Sequence, residues 1–232
     1  MSLTPLEIEA LTLSIRVAFT AVVLSLPLGI AVAWLLARRD FPGKTLLDGL
    51  VHLPLIVPPV VVGYLLLVLL GRRGVIGAWL FDAFGVSFAF TWKGAAIASG
   101  VMAFPLMVRA IRLSIESVDR GLEAAARTLG AGPIAVFVTI TLPLVAPGIL
   151  TGMILAFARS LGEFGATITF VSNIPGQTRT LPLALYSVVQ TPDADALALR
   201  LVIISVALAL AALLASEVVA RRVRRRIAGT ET

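Results

Sequence analysis

The stretch LEAAARTLGAGPIAVFVTITLPLVAPG, residues 122–148, begins as a surface helix and ends as a membrane span. Leu122, Ala125, Ala126 and Leu129 recur at helical spacing and form one apolar stripe. Glu123 and Arg127 stand four apart, in the order that favours a helix, and lie toward another side. Asp119 is placed to cap the helix start. Gly130 is placed to end it in a left-handed conformation, and Pro133 cannot continue it. The spacing predicts roughly ten helical residues, a rod of about 15 Å. Two readings stand. The helix docks into a cleft of another protein, or it lies on a lipid surface. Lipid-surface helices carry bulky apolar side chains, and Ala125 and Ala126 occupy half of this stripe.

The surroundings belong to lipid. Of 232 residues, 59% are hydrophobic and 14% charged, and the mean hydropathy is +1.02. A soluble domain carries about 25% charged residues. Uncharged apolar runs fall at 17–37, 49–71, 94–108, 128–158 and 201–216. A helix needs about 20 apolar residues to cross a hydrocarbon layer about 30 Å thick. The two shorter runs reach that length when Lys93, Arg200 and Glu217 extend their heads to the interface. The pattern predicts an all-α integral membrane protein with about five membrane helices.

There is no cysteine and a single histidine, His52, which rules out disulfides, thiolate metal sites and a multi-histidine metal site. The acidic start, MSLTPLEIEA, lacks the basic region of a cleavable signal peptide, so the first span is expected to act as its own insertion signal. The net charge of +6 comes largely from Arg221, Arg222, Arg224, Arg225 and Arg226, directly after the last apolar run. That placement marks a cytoplasmic topology anchor near anionic lipid rather than a nucleic-acid arm. With the C-terminus inside, twelve of the 19 basic residues fall on cytoplasmic segments, which favours N-terminus out and C-terminus in. Arg72 and Arg73 run against the bias.

Pro42–Leu46 contains Gly-Lys-Thr, but a phosphate-binding loop needs a further glycine where Arg38 stands, and no strand precedes it. The chain therefore carries no nucleotide cofactor of its own, and an ATPase, if one is needed, is a partner. Pro27, Gly29, Pro54, Pro58, Pro59, Gly63, Pro105, Pro143, Pro147 and Gly148 stand inside the runs. Four interrupted spans predict a moving transporter, since broken membrane helices are tolerated where they line a cavity. Arg159 and Glu163, four apart at the end of the fourth run, are either an interfacial ion pair or part of a path for solute. Arg159 and Ser160 are expected near the translocation path, with Glu163 as their structural partner.

Residues 122–148 resemble the EAA loop of ABC importer permeases, whose pattern is Glu-Ala-Ala, three residues, Gly, nine residues, Ile, one residue, Leu-Pro. Gly130, Ile140, Leu142 and Pro143 hold that spacing. Counted back from Gly130, the Ala slots fall on Ala125 and Ala126, and the Glu slot falls on Ala124, with Glu123 one residue earlier. Further stretches are similar to the molybdate branch of these permeases: FPGKTLLDGLVHLPLIVPPVVVGYLLL, GRRGVIG, FPLMVRAIRLSIESVD, ARTLGAG and ARSLGEFGATITFVSNIPGQTRTLPLALY. Sulfate and thiosulfate permeases share the ARTLGA and RSLGEFGA-type motifs, and these two stretches do not separate the branches.

The resemblance implies a type I ABC importer permease bundle over residues 10–220 with a basic cytoplasmic tail at 221–232. It implies a bacterial inner-membrane location and alternating access driven by ATP. Glu123, Ala124, Ala125, Ala126, Arg127, Leu129 and Gly130 would form the coupling helix that an ATPase subunit grips. The implied partners are a second copy of the chain, two ATPase subunits, an extracytoplasmic molybdate-binding protein docked on loops 71–93 and 172–196, and membrane lipid. The implied cargo is molybdate, with tungstate nearly identical in size and charge. A membrane enzyme is disfavoured by the lack of paired intramembrane carboxylates, a histidine cluster or a nucleophile motif. A secondary transporter is disfavoured by uncharged span centres and the lack of a repeat.

Overall fold

A computed structural model describes residues 3–228. Every regular element among the described residues is a helix, and no strand occurs among them. Helix α1, Pro5–Arg38, opens on a capping box: Thr4 accepts from the Glu7 amide, and Glu7 accepts from the Thr4 amide at 2.7 Å. Its 34 residues would reach about 51 Å, more than a bilayer core needs. The expected run at 49–71 is not one helix. It is α2, Lys44–Ile56, and α3, Pro59–Leu70, bent by 114°. Val57 between them is extended because it precedes Pro58, and two consecutive prolines cannot carry the hydrogen-bond ladder across.

A short apolar helix follows, α4 (Val75–Phe84). Then α5, Trp92–Glu116, runs through the centre of the bundle and is longer than the uncharged run that predicted it. Met107, Val108, Ile111 and Ile115 on α5 are fully buried with Leu36 of α1. Next comes α6, Arg120–Thr128, outside the bundle. Beyond it α7 (Pro133–Val136), a π-helical turn (Phe137–Thr141) and α8 (Leu142–Leu161) run on as one span. The expected run 128–158 therefore starts late: Thr128 ends α6, and Gly130 to Gly132 separate the two.

Short α9 (Gly165–Val171) and α10 (Leu181–Val189) flank a compact loop, and α11, Asp195–Ala228, closes the chain. Among the described residues four helices are long and apolar enough to cross a membrane, five with the bent α2–α3 pair. Small residues let the spans meet closely: a Cβ on Gly152 would lie 3.0 Å from the Met107 carbonyl oxygen. All five arginines of the expected tail fall within α11, and residues 229–232 lie outside the described residues.

Candidate functional site

The expected surface helix forms as α6. Asp119 caps it, its carboxylate accepting from the Gly121 amide at 2.8 Å. At the other end Gly130 takes φ +89°. The Ala131 amide donates to the Ala126 carbonyl at 3.1 Å and the Gly130 amide to Arg127 at 3.0 Å, so orphan carbonyls of the last turn are satisfied. The apolar stripe faces away from the bundle: Leu122 is 49% exposed and Leu129 88%. Ala124 and Ala125 are exposed, and Ala126 is half-buried.

Glu123 points the other way and is 8% exposed. Its Oε1 accepts from Arg38 Nη2 at 3.0 Å and from Thr141 Oγ1 at 2.8 Å. Arg127 Nη2 stands 4.0 Å from the other carboxylate oxygen. Glu123, one residue before the Glu slot of the EAA pattern, is thus the group that faces the bundle. No local signal marks its partner, because Arg38 is 85 residues away in the chain.

Arg159, Ser160 and Glu163 come together at the end of α8. Arg159 Nη1 lies 2.6 Å from Glu163 Oε2, and the Glu163 side chain is 1% exposed. Glu163 Oε1 accepts from the Ala166 amide at 2.8 Å, which fixes the first turn of α9. Ser160 is buried and its hydroxyl reaches the Ser99 carbonyl at 3.5 Å. Glu163 therefore holds structure, and Arg159, 28% exposed, is the member of the trio that reaches outward.

His52 is packed in a charged pocket of about 310 Å³ with Asp48, Arg109, Arg112 and Glu116. Its Nδ1 lies 2.9 Å from the Asp48 carbonyl oxygen. Arg112 bridges Asp48 at 3.0 Å and Glu116 at 2.8 Å. Among the described residues no His, Asp or Glu group has the geometry of a metal site.

Residues 25–225 match the family described as "Binding-protein-dependent transport system inner membrane component". The chain is 64% identical to the molybdenum transport system permease protein of Escherichia coli over 97% of this chain and 99% of that protein. It is 58% identical to the corresponding protein of Haemophilus influenzae, over 96% and 97%. A probable sulfate transport system permease protein of Nephroselmis olivacea is 34% identical, over 82% of this chain and 66% of that one. Among solved structures, a bacterial ABC transporter involved in import of the acidic polysaccharide alginate aligns with TM-score 0.76 and 18% identity, over 95% of this chain and 80% of that one. That last likeness concerns the fold alone.

Proposed function

The chain belongs to the family of binding-protein-dependent transport system inner membrane components, and on that premise we propose that it is the permease subunit of an ATP-driven molybdate importer. It is a multi-pass protein of a bacterial inner membrane and a pore subunit rather than an enzyme. The carrying observation is full-length identity with molybdenum permeases, far above that with the sulfate permease. Molybdate and sulfate are both tetrahedral dianions, so shared motifs are expected of both branches.

In this reading two copies enclose the pore, with N-termini outside and C-termini inside. Each presents one α6 to one ATPase subunit. The exposed stripe Leu122, Ala125 and Leu129 supports docking over a lipid-surface role, because alanine lets a partner backbone approach closely while adding little to lipid affinity. ATP-driven closure of the two ATPases would draw the two α6 helices together and turn the pore from inward-facing to outward-facing. Outside, the loop from Ser172 to Thr180 supports a docking role for the binding protein by its rigidity. Asn173 donates to the Leu183 carbonyl at 3.0 Å, and buried Thr178 donates to the Ser172 carbonyl at 3.1 Å. Arg159 is the cation offered to the passing dianion, with its charge moderated by Glu163 so that the anion is not trapped.

The test is uptake of radiolabelled molybdate at low concentration by cells with and without the chain. Tungstate, sulfate and thiosulfate serve as competitors, and the ATP supply is collapsed in parallel. Uptake that needs chain and ATP and yields to tungstate but not sulfate is expected. Inhibition by sulfate would move the cargo to the sulfate branch, and ATP-independent uptake would overturn the reading.

A further inference from the structure

One carboxylate oxygen joins three separate elements at the α6 end of the molecule. Glu123 Oε1 takes a hydrogen bond from Arg38, the last residue of α1, and another from Thr141, the last residue of the π-helical turn. Arg38 Nη2 also reaches the Val118 carbonyl, at 3.5 Å, in the segment that leads into α6. The Arg38 and Glu123 side chains are 8% and 11% exposed, so the pair sits where charges are poorly screened.

The packing around α6 makes this tie matter. By backbone packing α6 lies mainly against α7 and the π-helical turn, and its flanks are the short segments 117–119 and 129–132. A helix held only so would pivot on its flanks when pulled. The Arg38–Glu123 pair fastens it to the end of α1, which in turn packs along α5 and α8. The π-helical turn adds the second strut. Its extra residue per turn, closed by the Leu142 amide on the Phe137 carbonyl, rotates the following residues about the span axis, and Thr141 faces Glu123 in this register. The side of α6 opposite the tie carries the exposed alanines, so grip and anchor lie on different faces of one short rod.

We infer that Glu123 is a positioning residue that transmits the stroke of α6 into α1 and α8 through Arg38 and Thr141, rather than a contact with the ATPase. The inference rests on the reading of α6 as the coupling helix. It also accounts for the one-residue displacement of the carboxylate from the motif's slot: one residue is about 100° around a helix, which separates a face gripped from outside from a face anchored within.

The experiment uses the whole transporter, with its ATPase and binding protein, reconstituted in lipid vesicles. Three quantities are read: ATPase retained on the purified permease, ATP hydrolysed, and molybdate taken up per ATP. Glu123→Gln, Arg38→Gln and Thr141→Val are compared with wild type. The combination Arg38→Glu with Glu123→Arg keeps the attraction with its sign reversed. The single variants are expected to keep the ATPase while molybdate per ATP falls about tenfold for the two charge variants, within the range of typical intersite coupling. Thr141→Val falls less, and the swap recovers most of the loss. A separate Ala125→Trp variant is expected to shed the ATPase. Loss of the ATPase from Glu123→Gln would make the carboxylate a docking contact and overturn the inference. An unchanged ratio in the charge variants, or a swap no better than either of them, would overturn it as well. Retained ATPase and normal uptake in Ala125→Trp would instead overturn the coupling-helix reading on which the inference rests.

Discussion

Glu7 and Arg200, 193 residues apart, close the chain on itself: Arg200 Nε and Nη2 each lie 2.9 Å from a different carboxylate oxygen of Glu7. Glu7 is fully buried in the first turn of α1, while the Arg200 side chain is 35% exposed at the start of α11. The pair is therefore lopsided. Removing Glu7 leaves an arginine that still reaches water. Removing Arg200 leaves a fully buried carboxylate whose remaining contacts are to Thr4, at its amide and its side chain. Arg200→Leu is expected to lower stability, and Glu7→Gln distinctly less. Thermal unfolding of the purified chain in detergent checks the order, and equal losses would contradict it.

Helix α3 meets α9 at two glycines. A Cβ on Gly63 would stand 2.5 Å from the Ala166 carbonyl oxygen and 2.9 Å from its Cα, and one on Gly165 would stand 2.7 Å from Pro59 Cβ. Backbone atoms cannot yield as a flexible side chain does. Gly63→Ala is expected to destabilise by about 1–3 kcal/mol and to push α3 off α9. Gly49, inside α2, has nothing within 4 Å of a Cβ, and Gly49→Ala is expected to gain about 0.5–1 kcal/mol. The contrast is read by thermal unfolding of both variants, and a similar loss in each would remove the close-approach argument.

These contacts mark the limit of what the sequence disclosed. Asp119 and Gly130 announced the ends of α6 because capping is local chemistry, carried by the residue and its neighbours within a few positions. Prolines were less readable. Pro27, Pro54, Pro105 and Pro147 all stand inside helices that continue past them, whereas Pro58 with Pro59 breaks the backbone outright. A single proline costs one hydrogen bond, whereas two in succession remove adjacent donors and place Pro58 itself before a proline, which disfavours helical geometry there too. The π-helical turn FVTIT carries no compositional sign, and its register depends on how α8 packs. Arg38 with Glu123 and Glu7 with Arg200 could not be paired from sequence, since each pairing depends on the bundle that brings distant segments together.

The end of α6 offers a second test of its grip. Gly130 adopts φ +89° with nothing near a would-be Cβ, so the obstacle to substitution is conformational rather than spatial. Gly130→Val, a β-branched residue in the left-handed region, is expected to cost about 1–2 kcal/mol locally and to unwind the last turn, which presents Leu129. Gly130→Asn tolerates that region and should be milder. ATPase retained on the detergent-purified permease is the readout, with valine losing more than asparagine while both reach the membrane in wild-type amounts. Equal retention in both variants would mean that the ordered end of α6 is not part of the grip.

Arg159 and Glu163 form an ion pair at 2.6 Å whose two members can be tested separately. Glu163 spends one oxygen on the Ala166 amide and the other on Arg159, and its side chain is almost wholly buried. Glu163→Leu removes both partners at once, leaving the amide of α9 unmet and a guanidinium against an apolar residue. It is expected to lower stability by about 3 kcal/mol or more. Arg159→Lys keeps a charge beside Glu163 but gives up the planar fork, so folding should change little. If Arg159 meets the dianion, its lysine variant still assembles, binds the ATPase and hydrolyses ATP, while molybdate uptake falls severalfold and half-saturation by the loaded binding protein is unchanged. A lysine variant that transports at the wild-type rate would confine the pair to a structural role and leave the path for the anion to be sought elsewhere in the bundle.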